Sequence, residues 1–175
     1  MNIKKTAGLV LLGFVFVFLS SALHAAPTGA VSAKITLEFE GKFLPMNAAQ
    51  VTILDKKIDL GAVDFTAKQD AEKSKNKKRL YHRYRYVYLV KEIKNSQRAG
   101  VRQIRHGIVT KRADNKGETL VRYLEPGDYF IGAYRKMGKR AVVWFVPFSI
   151  TAGRSMQVDL DNNNVFEFYD PALYP

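Results

Sequence analysis

The last third of the chain limits its fold most, because it consists of short alternating runs cut apart by glycine and proline. Glu118 to Tyr123 (ETLVRY), Tyr129 to Arg135 (YFIGAYR), Ala141 to Ile150 (AVVWFVPFSI) and Ser155 to Leu160 (SMQVDL) each read as a strand, and Val165 to Tyr169 adds a short edge strand. Between them stand Pro126-Gly127, Gly138, Gly153 and the polar run Asp161 to Asn164. Proline presets φ at a turn and glycine accepts the conformations other residues avoid, so these are reversals rather than breaks in one long element. Lys34 to Glu40 (KITLEFE) alternates in the same way, with Ile35, Leu37 and Phe39 on one face. Ala49 to Leu54 supplies another strand and Ile58 to Phe65 a shorter third. Many short strands with no convincing amphipathic helix predict an all-β fold, an antiparallel β-sandwich of the immunoglobulin-like kind.

The first 26 residues do not belong to that pattern. Lys4 and Lys5 precede thirteen apolar residues, Ala7 to Leu19, followed by SSALHAA. A positive start, an apolar stretch and small residues form the pattern of a cleavable secretory signal peptide. Thirteen helical residues rise about 20 Å, short of the ~30 Å hydrocarbon layer of a bilayer. The expectation is an exported product, periplasmic or secreted, with no transmembrane span once cleavage near Ala25 or Ala26 has occurred. The domain plan that follows is a leader over 1–26, a flexible lead-in over 27–33, and one sandwich over 34–175 carrying a basic insertion at about 66–112.

Two pieces of the mature chain resemble the carboxypeptidase regulatory-like, or transthyretin-like, β-sandwich modules. Pro45-Met46-Asn47-Ala48-Ala49-Gln50-Val51-Thr52-Ile53 is similar to that family's small-residue turn into a V-x-I strand. Asp114 through Leu160 is similar to its Asp/Gly turn, strand, L-x-P-G-x-Y corner and closing V-x-L strand. The resemblance implies that Pro126, Gly127 and Tyr129 form a structural corner. The enzymatic branch of the family, which hydrolyses 5-hydroxyisourate, ends in Tyr-Arg-Gly-Ser, whereas this chain ends FYDPALYP.

Charge separates the insertion from everything else. The chain holds 28 Lys and Arg against 16 Asp and Glu, net +12. Removing Lys4 and Lys5 with the leader leaves +10. The segment Lys68 to Arg112 has fifteen cations and three acids, so it carries +12, and the remaining mature chain carries −2. Such a block makes a local positive field that attracts anions.

Within it, Lys77 to Arg85 (KKRLYHRYR) interleaves cations with rings, and Leu80 to Ile93 reads as a long Tyr- and Val-rich strand. Val101 to Val109 reads as the returning strand of a hairpin. Lys and Arg neutralise phosphates or carboxylates while Tyr stacks on bases or sugars. The candidate anion-binding residues are Lys77, Lys78, Arg79, Arg83, Arg85, Arg102 and Arg105, with Tyr81 and Tyr84 as aromatic contacts. The competing reading is a sandwich strand with its tyrosines packed inward and its arginines solvated.

Catalysis and metal binding have little to stand on. The absence of cysteine removes disulfides, thiol catalysis and zinc–thiolate sites. The mature chain has two histidines, His82 and His106, too few ligands for a metal or acid–base centre without a carboxylate nearby. Asp159, Asp161, Asn162, Asn163 and Asn164 lack the glycine and distal glutamate of a calcium loop and suit a tight turn. No cofactor and no metal are expected.

The partner expected is an anionic envelope polymer, lipid head groups or an acidic protein, with nucleic acid less favoured. Two alternatives stand beside this non-catalytic binding module: a structural or accessory subunit of an envelope or secretion assembly, and a carrier of a small ligand or metal.

Overall fold

A computed structural model describes residues 27–100 and 110–174. The predicted signal peptide, the returning strand read over 101–109 and the terminal Pro175 lie outside them. The described elements are β1 (Gly29–Phe39), β2 (Lys42–Pro45), β3 (Gln50–Leu54), α1 (Leu60–Glu72), α2 (Lys77–Gly100), β4 (Lys111–Arg112), β5 (Glu118–Leu124), β6 (Gly127–Met137), β7 (Arg140–Ile150), β8 (Ser155–Leu160) and β9 (Val165–Tyr169).

Two sheets face each other, as the alternating runs predict. In the smaller one β1 is central: β5 and β2 pair with it antiparallel, and β8 pairs with it parallel. The larger runs β4-β3-β6-β7-β9, every pair antiparallel. Val31, Ala33, Ile35 and Leu37 of β1 meet Val51, Ile53, Ile131, Val142 and Trp144 across the interface. Trp144 is fully buried, and its indole N–H is satisfied by the carbonyl of Asp161 at 2.8 Å. Gly117, at φ +79°, closes the turn before β5; a Cβ there would lie 2.4 Å from the Ile35 carbonyl oxygen. A side chain has no room at that position.

Two expectations need correction. The small residues read as a flexible lead-in over 27–33 are mostly strand, since β1 begins at Gly29 and Ala30 to Ala33 pair with β5 and β8 at once. Small side chains suit that central strand, which is packed from both edges.

The second correction is larger. Of the segments read as strands over 58–65 and 80–93, the first is helical from Leu60 onward, in α1, and the second throughout, in α2. Asp59 caps α1 by accepting the N–H of Ala62 at 3.0 Å, which satisfies one of the helix's orphan donors. In α2 the buried residues Leu89 and Ile93 stand four apart, with Arg85 and His82 continuing the same stripe. That is the 3.6-residue period of a helix face. The stripe lies across the outer face of the larger sheet, where Leu54, Val143 and Phe145 join Ile58 and Val63 in a second apolar cluster. This explains why β7 is apolar on both faces: Val142 and Trp144 enter the sandwich, while Val143 and Phe145 lie beneath the helices. Ile93 sits directly on Gly132, where a Cβ would come within 2.9 Å of its Cδ1.

Candidate functional site

The helical course of α2 separates the predicted anion-binding cations into two groups. The first is engaged within the fold. Lys77 pairs with Glu72 at 2.5 Å, just as Lys73 pairs with Asp70 at 2.7 Å. Arg85 reaches Glu167 of β9 through Nη1 at 2.8 Å, and its Nε lies 2.9 Å from Asp64 without hydrogen-bond alignment. Glu167 is 5 % exposed and also contacts His82 Nδ1 at 3.1 Å. Burial pushes the Glu167 carboxyl above its ordinary range, and Arg85 and His82 oppose that shift.

Arg85 and His82 therefore pin the helical hairpin to the sheet, and Arg85 is a structural cation rather than a free one. His82 also stacks on Tyr174, with centroids 4.4 Å apart. The rings of the motif are partly engaged too. Tyr81 donates to Asp64 at 2.6 Å, and Tyr84 stacks on Tyr88 at 5.7 Å.

The second group faces outward. Lys78 stands 5.7 Å from the centre of the Tyr174 ring, Arg79 donates to the Tyr169 hydroxyl at 3.4 Å, and Arg83 is exposed. Arg102, Arg105 and His106 lie outside the described residues. Asp161 to Asn164 is a turn tied by its own bonds: Asn163 N–H donates to Asp161 Oδ1 at 2.8 Å, and Asp161 N–H donates to Asn164 Oδ1 at 3.0 Å. Among the described residues, no three His, Asp or Glu side chains converge as a metal site would require. The corner at Pro126 and Gly127 opens β6, and Tyr129 stacks on Phe148 at 5.7 Å while donating to the Glu125 carbonyl at 2.9 Å.

A groove of about 830 Å³ runs between α2 and the ends of β3, β4 and β6. Five cations line it: Lys91 and Lys94 from the helix, Arg112 from β4, and Arg135 and Lys136 from β6. Among the described residues, no carboxylate lines it. Like charges gathered in a concave, low-dielectric wall focus a positive potential. Tyr86 and Tyr134 also line it, and burial pushes both hydroxyls above the usual tyrosine range. Tyr134 donates to Gln50 at 3.0 Å, and Lys94 lies over its ring at 5.4 Å. Arg135 is steadied by Asn47 at 3.3 Å.

The charge block pointed to Lys91, Lys94 and Arg112 only collectively. Arg135 and Lys136 come from outside that block, and no sequence pattern links them to it. Helix α2, crossing the sheet, brings the two sets together.

No protein-family model matches the chain, and no curated protein matches it. Among solved structures it is similar to a minor pilin of Streptococcus agalactiae, at 11 % identity and TM-score 0.44, over 78 % of this chain and 44 % of that one. It is also similar to a candidate carbohydrate-binding protein of Pseudomonas aeruginosa, at 7 % identity and TM-score 0.39, over 78 % and 90 %. The pilus backbone of Streptococcus pneumoniae matches at 9 % identity and TM-score 0.32, over 76 % and 41 %. The chain thus spans less than half of either pilus protein. No helix among the described residues is long and apolar enough to cross a membrane.

Proposed function

We propose that the chain is an exported, non-catalytic binding module whose groove between α2 and the larger sheet holds the anionic groups of an envelope component. One observation carries this reading: among the described residues, five cations and no carboxylate line a single concavity. The sandwich serves as a near-neutral scaffold, and the helical hairpin concentrates the charge. Binding is expected to weaken as salt rises, since released counterions drive such contacts.

The test is retention on immobilised heparin and on lipopolysaccharide under a salt gradient. The double variant Lys94→Glu/Lys136→Glu should elute at much lower salt than Lys73→Glu/Lys77→Glu, which changes net charge equally but alters cations already paired within the fold. Equal displacement of the two variants would mean that net charge alone is read, and the groove would have no special role.

A second reading, a subunit of an envelope assembly, draws on β2. Phe43 and Leu44 are 75 % and 39 % exposed on that short strand, which among the described elements pairs with β1 alone. An exposed edge with apolar side chains invites pairing with another chain. On this reading Phe43→Ser would dissociate an oligomer seen by size-exclusion chromatography, whereas a monomeric wild-type protein would remove it.

A further inference from the structure

We infer that the ligand is a linear acidic glycan, which leaves the groove along the face of α2 turned away from α1 and ends in a second basic cavity. The inference rests on the groove reading above and specifies the ligand's length and chemistry. The second cavity, about 510 Å³, lies at the opposite end of the helix between Arg79, the β6–β7 turn and the chain after β9. Arg79, Lys139 and Arg140 line it, together with one carboxylate, Asp170. Arg140 is held by Asp170 at 2.6 Å and stands 4.1 Å over the Phe39 ring, which leaves Arg79 and Lys139 to meet an anion.

The two cavities lie on one side of the helix. Arg79, Arg83, Tyr86, Val90 and Lys94 follow one another at spacings of four, three, four and four, which makes a single stripe. Leu89 and Ile93 occupy the neighbouring stripe against the sheet, and Tyr81 and Tyr88 turn to the α1 side, where Asp64 and Asp70 accept their hydroxyls. The β6–β7 turn forms the facing rail: Lys136 lines the groove and Lys139, three residues on, lines the second cavity. From Arg79 to Lys94 the helix rises about 22 Å at 1.5 Å per residue. A small anion occupies one cavity; only an extended chain with repeating charge engages both.

The rings favour sugar over nucleobase. Sequence-tolerant binding of single-stranded nucleic acid needs aromatic faces open for stacking. Here Lys94 covers Tyr134, and Tyr86 is half-buried. What the groove offers besides charge is hydroxyl and amide groups, Tyr134 and Gln50 among them, which suit sugar hydroxyls.

The test is calorimetric titration of the purified protein with a heparin disaccharide and a heparin decasaccharide. The groove variant is Lys94→Glu/Lys136→Glu and the distal variant is Arg79→Ser/Lys139→Ser. A second distal variant, Lys139→Ser alone, changes only an exposed turn residue and should leave folding intact. Engagement of both cavities makes the distal site a linked second contact, so its loss should weaken the decasaccharide by about tenfold and leave the disaccharide unchanged. The groove variant should weaken both lengths. If the distal variants leave decasaccharide binding unchanged, the extended path is wrong while the groove reading stands. If the groove variant changes neither length, or if neither length binds, both readings fall. A single-stranded oligonucleotide of matching length that binds more tightly than the decasaccharide overturns the glycan assignment.

Discussion

The two faces of the larger sheet are held in different ways. Its inner face meets the smaller sheet through Val51, Ile53, Ile131 and Trp144. Its outer face meets α1 and α2 through a smaller apolar patch around Leu89, Ile93 and Phe145, and is pinned at its margin by Glu167, Arg85 and His82. The inner interface is close-packed apolar surface, which salt screening is expected to affect little. The outer one is partly electrostatic: it engages Arg85 and leaves Lys91, Lys94 and Arg83 facing solvent. The inserted hairpin is thus docked by an apolar stripe and by a carboxylate of β9, and still presents a cationic surface.

The comparison predicts a ranking of substitutions. Trp144→Ala should cost most, about 3–5 kcal/mol in chemical denaturation, because it opens a large cavity in the dry interface. Glu167→Ala should cost nearly as much, about 3 kcal/mol, by removing the buried carboxylate that Arg85 and His82 share. The paired change Glu167→Met with Arg85→Leu should recover most of that loss, since apolar side chains of similar volume fit where the ion pair stood. Failure to recover would mean that the hairpin needs the ion pair itself rather than the filled space. Gly132→Val should cost about 1–3 kcal/mol by forcing Ile93 off the sheet.

The smallest effect concerns the contact between the two helices. Tyr88 donates to Asp70, and that bond pushes the Tyr88 hydroxyl up to about 12. A raised folded value means that the stabilisation is complete below the ordinary tyrosine value of about 10 and is lost as pH rises through 12. Tyr88→Phe should remove this contribution, leaving the variant somewhat less stable than wild type near neutral pH and flattening the alkaline fall of its stability profile. A wild-type profile without an alkaline fall would contradict the assignment.

The sandwich was legible because its strands obey a period of two and its turns are marked by glycine and proline. Ile35 and Leu37, and Val51 and Ile53, fall where that alternation puts them. The hairpin was not, because Tyr and Val between residues 80 and 93 favour strands by propensity, and that local preference masks the spacing of His82, Arg85, Leu89 and Ile93. Packing against Gly132 and Val143 outweighs propensity there. The charge block was visible as composition. Its division into pinned Lys77 and Arg85 and outward Lys78, Arg79 and Arg83 depends on Glu72 and Glu167, whose positions follow only from the fold.

The groove itself can be tested residue by residue through amide NMR during titration with the heparin disaccharide. Saturable shifts centred on Lys91, Lys94, Arg112, Arg135 and Lys136, and abolished by added salt, are the predicted result. Shifts centred instead on Phe43 and Leu44, or spread evenly over every exposed lysine and arginine, would contradict it.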